Sequence, residues 1–259
     1  MTLFYNPLTF MLLAARLSGL LLALPGVNET NVPRFVRVAI ILWITVLLVP
    51  LLPDPTLSAM LAVDAVYHVA CEFVVGIGQG MIVRVIFSGF QFGGAIVDSE
   101  LGYTAAQQIN PYNPLSGGVF ARVFMLAGLF YFWALDYLPL TVEALRGSLD
   151  LLPLGTVSNP LGDVQNWVRL VASTIVGAVV LCAPVFALNF CITIALGFLA
   201  RAVQGINIFY ENFTFKLVLG LAGVTLVFLP ILLYIIRVQM ETIVPEMTRF
   251  FQSLAAVNA

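Results

Sequence analysis

The sequence predicts an all-α membrane protein made of kinked helices and helical hairpins, and three observations carry that class. The chain has 259 residues, is 61% hydrophobic and only 9% charged, and has a mean hydropathy of +1.04, far from the composition of soluble domains. Apolar stretches recur near residues 8–24, 36–52, 59–97, 119–145, 167–202 and 213–244, several of them longer than the roughly 20 residues that cross a bilayer as a helix. One long polar interruption, residues 98–118, separates the third stretch from the fourth. No linker, short repeat or charge run marks a boundary, so residues 1–259 read as a single helical domain.

The first stretch has no basic residue ahead of its apolar run and carries Arg16 inside it; it reads as a retained helix rather than a cleaved signal. Arg34 and Arg37 beside the first loop favour a cytoplasmic position for it, and Asp54 fits the opposite side for the next. Asp98 and Glu100 then fall where strict alternation expects basic residues, so a plain alternating topology does not fit. The third stretch, as one helix, is about 55 Å long against a hydrocarbon core of about 30 Å. It must tilt, break or leave the membrane. Glycines at 76, 78, 80, 89, 93 and 94 offer bends, as do Pro184 and Pro230 in the last two stretches.

Asp64, His68, Glu72, Gly76, Gly80 and Arg84 follow one another at intervals of four in the third stretch, a row that winds along an i, i+4 ridge. Ionisable groups at membrane depth need a partner, a carbonyl or water. Asp64, His68, Glu72 and Arg84 therefore read as a buried polar network, either of interhelical bonds or along an ion path. His68 and Glu72 have ligand spacing, but one His and one carboxylate make a weak metal motif. Gly76 with Gly80, and Gly89 with Gly93, are GxxxG pairs, which permit close helix packing or a hinge.

Other chemistry lacks a signature. Net charge is −2 and the 11 basic residues are scattered, which argues against nucleic-acid binding. Cys71, Cys182 and Cys191 lie in apolar runs without metal-site pairing. His68 is the only histidine, and no HExxH, GxSxG or P-loop is present. No enzyme activity, cofactor or metal is assigned. A secondary transporter using Asp64, His68 and Glu72 for ion coupling is the alternative reading, weakened by the absence of two matching interrupted halves.

A family resemblance spans nearly the whole chain. It runs from Arg16, Pro25 and Val32-Pro33-Arg34-Phe35-Val36-Arg37 through Glu72-Phe73-Val74-Val75-Gly76 with Gly80, then Asn110-Pro111, Phe120-Ala121-Arg122-Val123 and Leu152-Pro153-Leu154-Gly155. The densest part is Leu199-Ala200-Arg201-Ala202-Val203-Gln204-Gly205-Ile206-Asn207-Ile208-Phe209, followed by Phe213-Thr214-Phe215-Lys216. In this order the motifs resemble the FliR family of type III secretion export-gate proteins. The chain departs from the family at Gln204-Gly205, where Pro-Gln is common, and at Asn212-Phe213-Thr214-Phe215 in place of Gly-Phe-Pro-Leu.

The resemblance implies a core subunit of the flagellar export gate in the bacterial inner membrane, within the flagellar basal body. Its implied partners are several copies each of small helical membrane subunits, other membrane proteins of the secretion apparatus, membrane lipid, and unfolded substrate proteins. The assembly is helical and cone-like and lies partly above the membrane plane. A loop of this subunit helps plug the closed channel, and position nominates Gly102, Gln107, Gln108, Asn110, Pro111, Tyr112, Asn113, Pro114, Gly117 and Gly118. Arg201, Asn207 and Lys216 are candidate subunit contacts. Asp98 and Glu100 have no assigned role at this level.

Overall fold

A computed structural model describes residues 7–26, 33–51, 62–102, 118–135, 137–160, 162–202, 216, 218, 220–223 and 229–258. Every regular element among the described residues is helical. The helices are α1 (Pro7–Ala23), α2 (Arg34–Leu48, ending in a 3-10 turn at Val49–Leu51), α3 (Ala62–Glu100), α4 (Val119–Ala134), α5 (Tyr137–Leu151), α6 (Val164–Ala202), α7 (Leu229–Met240) and α8 (Ile243–Asn258). Among the described residues, two stretches, Asp64–Glu100 and Val164–Leu199, are long and apolar enough to cross a membrane, and the bent pair Val119–Ala134 and Pro139–Leu151 makes a third if it counts as one span.

Local chemistry explains the boundaries. α1 stops at Pro25 and Gly26, whose φ of 81° continues the chain in a left-handed conformation. α2 starts after Pro33, whose carbonyl accepts the Val36 amide at 3.0 Å, and gives way to its terminal 3-10 turn at Val49, before Pro50. After α3 the chain turns at Gly102, with φ 82°, whose amide donates to the Ser99 carbonyl at 3.2 Å.

The apolar stretches differ from the helices in two instructive ways. The third stretch is one unbroken 39-residue helix, because its glycines meet neighbouring helices closely rather than bend. The fourth divides at Leu135 into α4 and α5. Pro139 falls in the first turn of α5, where its missing N–H removes no intrahelical bond. Pro230 likewise sits at the start of α7, whereas α6 continues through Pro184.

The contacts gather into two compact units. One comprises Met1–Val85, Leu135–Val171 and Thr242–Ala259. Within it α1 packs on α2 and α5 packs on α8, around the buried Leu12, Leu13, Leu17, Val75, Leu145, Met247 and Leu254. The apolar face of α8, Ile243, Met247, Phe250, Phe251 and Leu254, recurs every three or four residues, the spacing that puts one helix face inward.

The other unit comprises Ile86–Ala134 and Ala172–Glu241. Here α4 packs on α7. Phe120, Phe124, Gly128 and Phe132 form the buried stripe of α4, and Phe87 meets Phe90 and Phe132 edge-on at ring-centre distances of 5.7 and 5.8 Å. The outer side of α6 is apolar and exposed at Ile175, Val179, Phe186, Phe190 and Phe198, the kind of surface that lipid or another protein covers.

Candidate functional site

The most developed polar site is built on Arg16 and Glu72, both fully buried. Arg16 Nε donates to Glu72 Oε2 at 2.6 Å. Its Nη1 donates to Ser148 Oγ at 3.2 Å, and Nη1 and Nη2 reach the Leu152 carbonyl at 3.4 and 3.3 Å. The other carboxylate oxygen, Glu72 Oε1, accepts the Gly155 amide at 2.9 Å. The guanidinium thus sits at the C-terminal end of α5, where the helix dipole favours a cation. Gly155 adopts φ 77°, which lets the turn after α5 aim its N–H at Glu72 with no Cβ strain.

Small residues bring these charges together. A Cβ on Gly76 would stand 2.0 Å from the Arg16 carbonyl oxygen, one on Gly19 2.2 Å from the Phe73 oxygen, and one on Gly80 2.6 Å from the Leu20 oxygen. α1 and α3 therefore meet backbone to backbone, with Gly76 one turn from Glu72. Gly89 faces Thr174 of α6, and a Cβ on Gly93 would lie 3.1 Å from the Ala178 oxygen. The glycine pairs sit at close helix crossings.

The polar row is not brought together as one network. Glu72 pairs with Arg16, Asp64 and Arg84 are exposed, and His68 is half-buried. The His68 ring stands edge-on to Tyr67 at 5.6 Å, and its Nδ1 has no hydrogen-bond partner among the described residues. The α3 row thus holds one strongly partnered member, and the transporter reading loses Glu72 as a free coupling group. Gln79, buried one turn beyond Gly76, donates to the Thr141 carbonyl at 3.1 Å.

A second buried carboxylate organises the ends of the polar interruption. Asp98 is 1% exposed; its Oδ1 accepts the Phe120 amide and its Oδ2 the Ala121 amide, each at 3.0 Å. A carboxylate on α3 thus caps the first turn of α4, satisfying amides that no residue within that helix can reach. Gly118 leaves the space this needs, since a Cβ there would be 1.7 Å from Asp98 Oδ2. Near the other end, Glu100 Oε2 accepts Asn189 Nδ2 at 2.6 Å.

Of the plug candidates, Gly102 and Gly118 are described, whereas Gln107, Gln108, Asn110, Pro111, Tyr112, Asn113, Pro114 and Gly117 lie outside the described residues. Among the contact candidates, Arg201 is exposed near the end of α6, Lys216 is helical and half-buried, and Asn207 lies outside the described residues. Arg16 and the Leu152-Pro153-Leu154-Gly155 motif stand in the sequence with nothing that links them. Their pairing spans 136 residues, and no local spacing encodes it. A lone Arg in an apolar helix and a lone Glu in another were the available signal.

Long apolar helices crossing at glycines, with buried charges satisfied inside the protein, define an all-α integral membrane protein. Residues 8–243 match the family described as bacterial export proteins, family 1. The chain belongs to that family, that of FliR and type III export. It is similar to the flagellar biosynthetic protein FliR of Caulobacter vibrioides, with 26% identity over 217 residues covering 82% of this chain and 84% of the relative. It is similar to FliR of Escherichia coli at 24% over 213 residues, covering 80% and 79%. The surface presentation of antigens protein SpaR of Shigella flexneri is 26% identical over 151 residues, 58% of each chain.

Proposed function

We propose that this chain is a non-enzymatic core subunit of the flagellar type III protein export gate. It acts as one helical domain, residues 1–259, in the bacterial inner membrane at the flagellar basal body. Small related membrane subunits, several copies of each, join it in a cone-like assembly that rises partly above the membrane plane and passes unfolded flagellar proteins. The observation that carries this reading is the family match over residues 8–243. The FliR relatives align over about four fifths of the chain, against 58% for SpaR, which favours the flagellar apparatus. The stretches Asp64–Glu100 and Val164–Leu199, of 37 and 36 residues, exceed a bilayer's need of about 20 and suit an assembly that leaves the membrane.

Within that assembly, residues 102–118 plug the closed channel, and Arg201, Asn207 and Lys216 contact neighbouring subunits. The polar composition of the segment, with Pro111 and Pro114 inside it and glycines at its ends, suits a defined obstruction that can be displaced. Deleting residues 106–115 then raises ion conductance through the assembled complex. Unchanged conductance with assembly intact removes the plug from the proposal. Co-purification tests the remainder: the export-gate reading requires a large hetero-oligomer with small helical membrane subunits, and recovery only as a functional homo-oligomer defeats it.

A further inference from the structure

We propose that Asp98 is a positioning residue of the gate, whose carboxylate ties the first turn of α4 to the last turn of α3 and so fixes both ends of the segment that joins them. The proposal rests on the plug reading above, and it concerns what holds that segment's ends.

The geometry is specific on both partners. Both oxygens of one carboxylate are committed, to the Phe120 and Ala121 amides at 3.0 Å each. A buried carboxylate in an apolar stretch is tolerated only when it is well bonded, and two amides at a helix N-terminus supply both hydrogen bonds and favourable dipole charge. Gly94, one turn before Asp98, permits the approach, because a Cβ there would lie 2.5 Å from the Ala121 Cα. Gly118 completes the fit, since any side chain begins where the carboxylate already stands.

The start of the segment is fixed by neighbouring groups. Leu101, buried, donates its amide to the Val97 carbonyl at 3.0 Å, and Gly102 turns the chain with φ 82°. Glu100 is held by Asn189 of α6 through its carboxylate at 2.6 Å. The two acids that begin the polar interruption thus have different tasks: Glu100 joins α3 to α6, and Asp98 joins α3 to α4.

The test uses the full chain assembled with its partner subunits, carrying Asp98→Ala, Asp98→Asn, Gly118→Ala, or Asp98→Ala with Gly118→Ala. Three readouts are taken: recovery of the complex, hydrogen exchange of the peptide containing Phe120 and Ala121, and closed-state ion conductance. Loss of the cap speeds exchange there by about fivefold or more, and conductance rises while the complex is still recovered, a change that a purely structural cap does not produce. Gly118→Ala expels the carboxylate and reproduces the effect, yet adds little once Asp98 is Ala. Asp98→Asn keeps the shape and one acceptor, and decides the question where Asp98→Ala does not assemble. If conductance stays at the wild-type level in the Asp98 variants while the 106–115 deletion raises it, the latch is overturned and the plug stands. If the deletion leaves conductance unchanged as well, the plug reading fails and takes this inference with it.

Discussion

Arg16 and Glu72, 56 residues apart in sequence, meet at 2.6 Å with both side chains fully buried. The pair is not closed on itself: Arg16 also bonds the C-terminal end of α5, and Glu72 also holds the Gly155 amide. Asp98 repeats the pattern with the opposite sign, as an anion set on the N-terminal turn of α4. In a chain with so few charges, Arg16 and Asp98 are each satisfied partly by a helix end of opposite polarity, while Glu72 takes the Gly155 amide in the turn after α5. The Arg16–Glu72 site thereby joins α1, α3 and α5, and Asp98 joins α3 to α4.

Removing one member of the pair strands the other. Arg16→Met or Glu72→Met therefore destabilises the protein by roughly 3–5 kcal/mol, the range for an uncompensated buried charge. Replacing both with Met recovers a substantial part of that loss, because hydrophobic groups of similar volume remove the desolvation penalty. Thermal unfolding of the detergent-solubilised complex, followed by the recovery of assembled material, measures this. A double variant as unstable as the sum of the singles contradicts the coupling.

The glycines divide into those under contact and those in the open. Gly76→Ala pushes a methyl against the Arg16 backbone at 2.0 Å, where no side chain can rotate away, so α1 and α3 must separate. By contrast, nothing lies within 4 Å of a Cβ on Gly147 or Gly197. Alanine there is tolerated and, within a helix, gains up to about 1 kcal/mol. Expression and thermal stability of the three variants, compared side by side, should rank Gly76→Ala far below the others; similar values for all three contradict the backbone contact between α1 and α3.

The sequence displayed the fold class because hydropathy accumulates over long windows and glycine spacing is local. It did not display the ion pair, since Arg16, Glu72, Ser148 and Leu152 meet only through tertiary packing. Regular spacing in α3 suggested instead that Asp64, His68, Glu72 and Arg84 belong together. A step of four residues drifts around the helix by about 40°, and the row passes from exposed Asp64 through buried Glu72 to exposed Arg84. Asp98 had no local meaning either, as its partners lie 22 and 23 residues onward.

Gly155 serves Glu72 through its backbone, so its side-chain position carries the constraint. With φ at 77°, Gly155→Ala is strained by roughly 1–2 kcal/mol, whereas Gly155→Asn is milder because Asn tolerates the left-handed region. The order of stability is then Gly, Asn, Ala, read as thermal midpoints of the purified complex. Alanine matching glycine would mean that the turn relaxes without losing the Glu72 bond.

Asn258 fastens the other side of the same connection. Its Oδ1 accepts Ser158 N, Ser158 Oγ and Asn159 N, each at 2.9 Å, and its Nδ2 donates to the Asn159 and Leu254 carbonyls. The 152–163 connection is therefore held at Gly155 by α3 and at Ser158 by α8. These groups are largely exposed, so water replaces much of what Asn258→Ala removes, and the loss is small, on the order of 1 kcal/mol. Its signature is local: amide exchange quickens at Ser158 and Asn159, while Phe250 and Phe251 in the buried face of α8 stay protected. Exchange that rises equally through α8 would assign Asn258 to holding the whole helix rather than the turn.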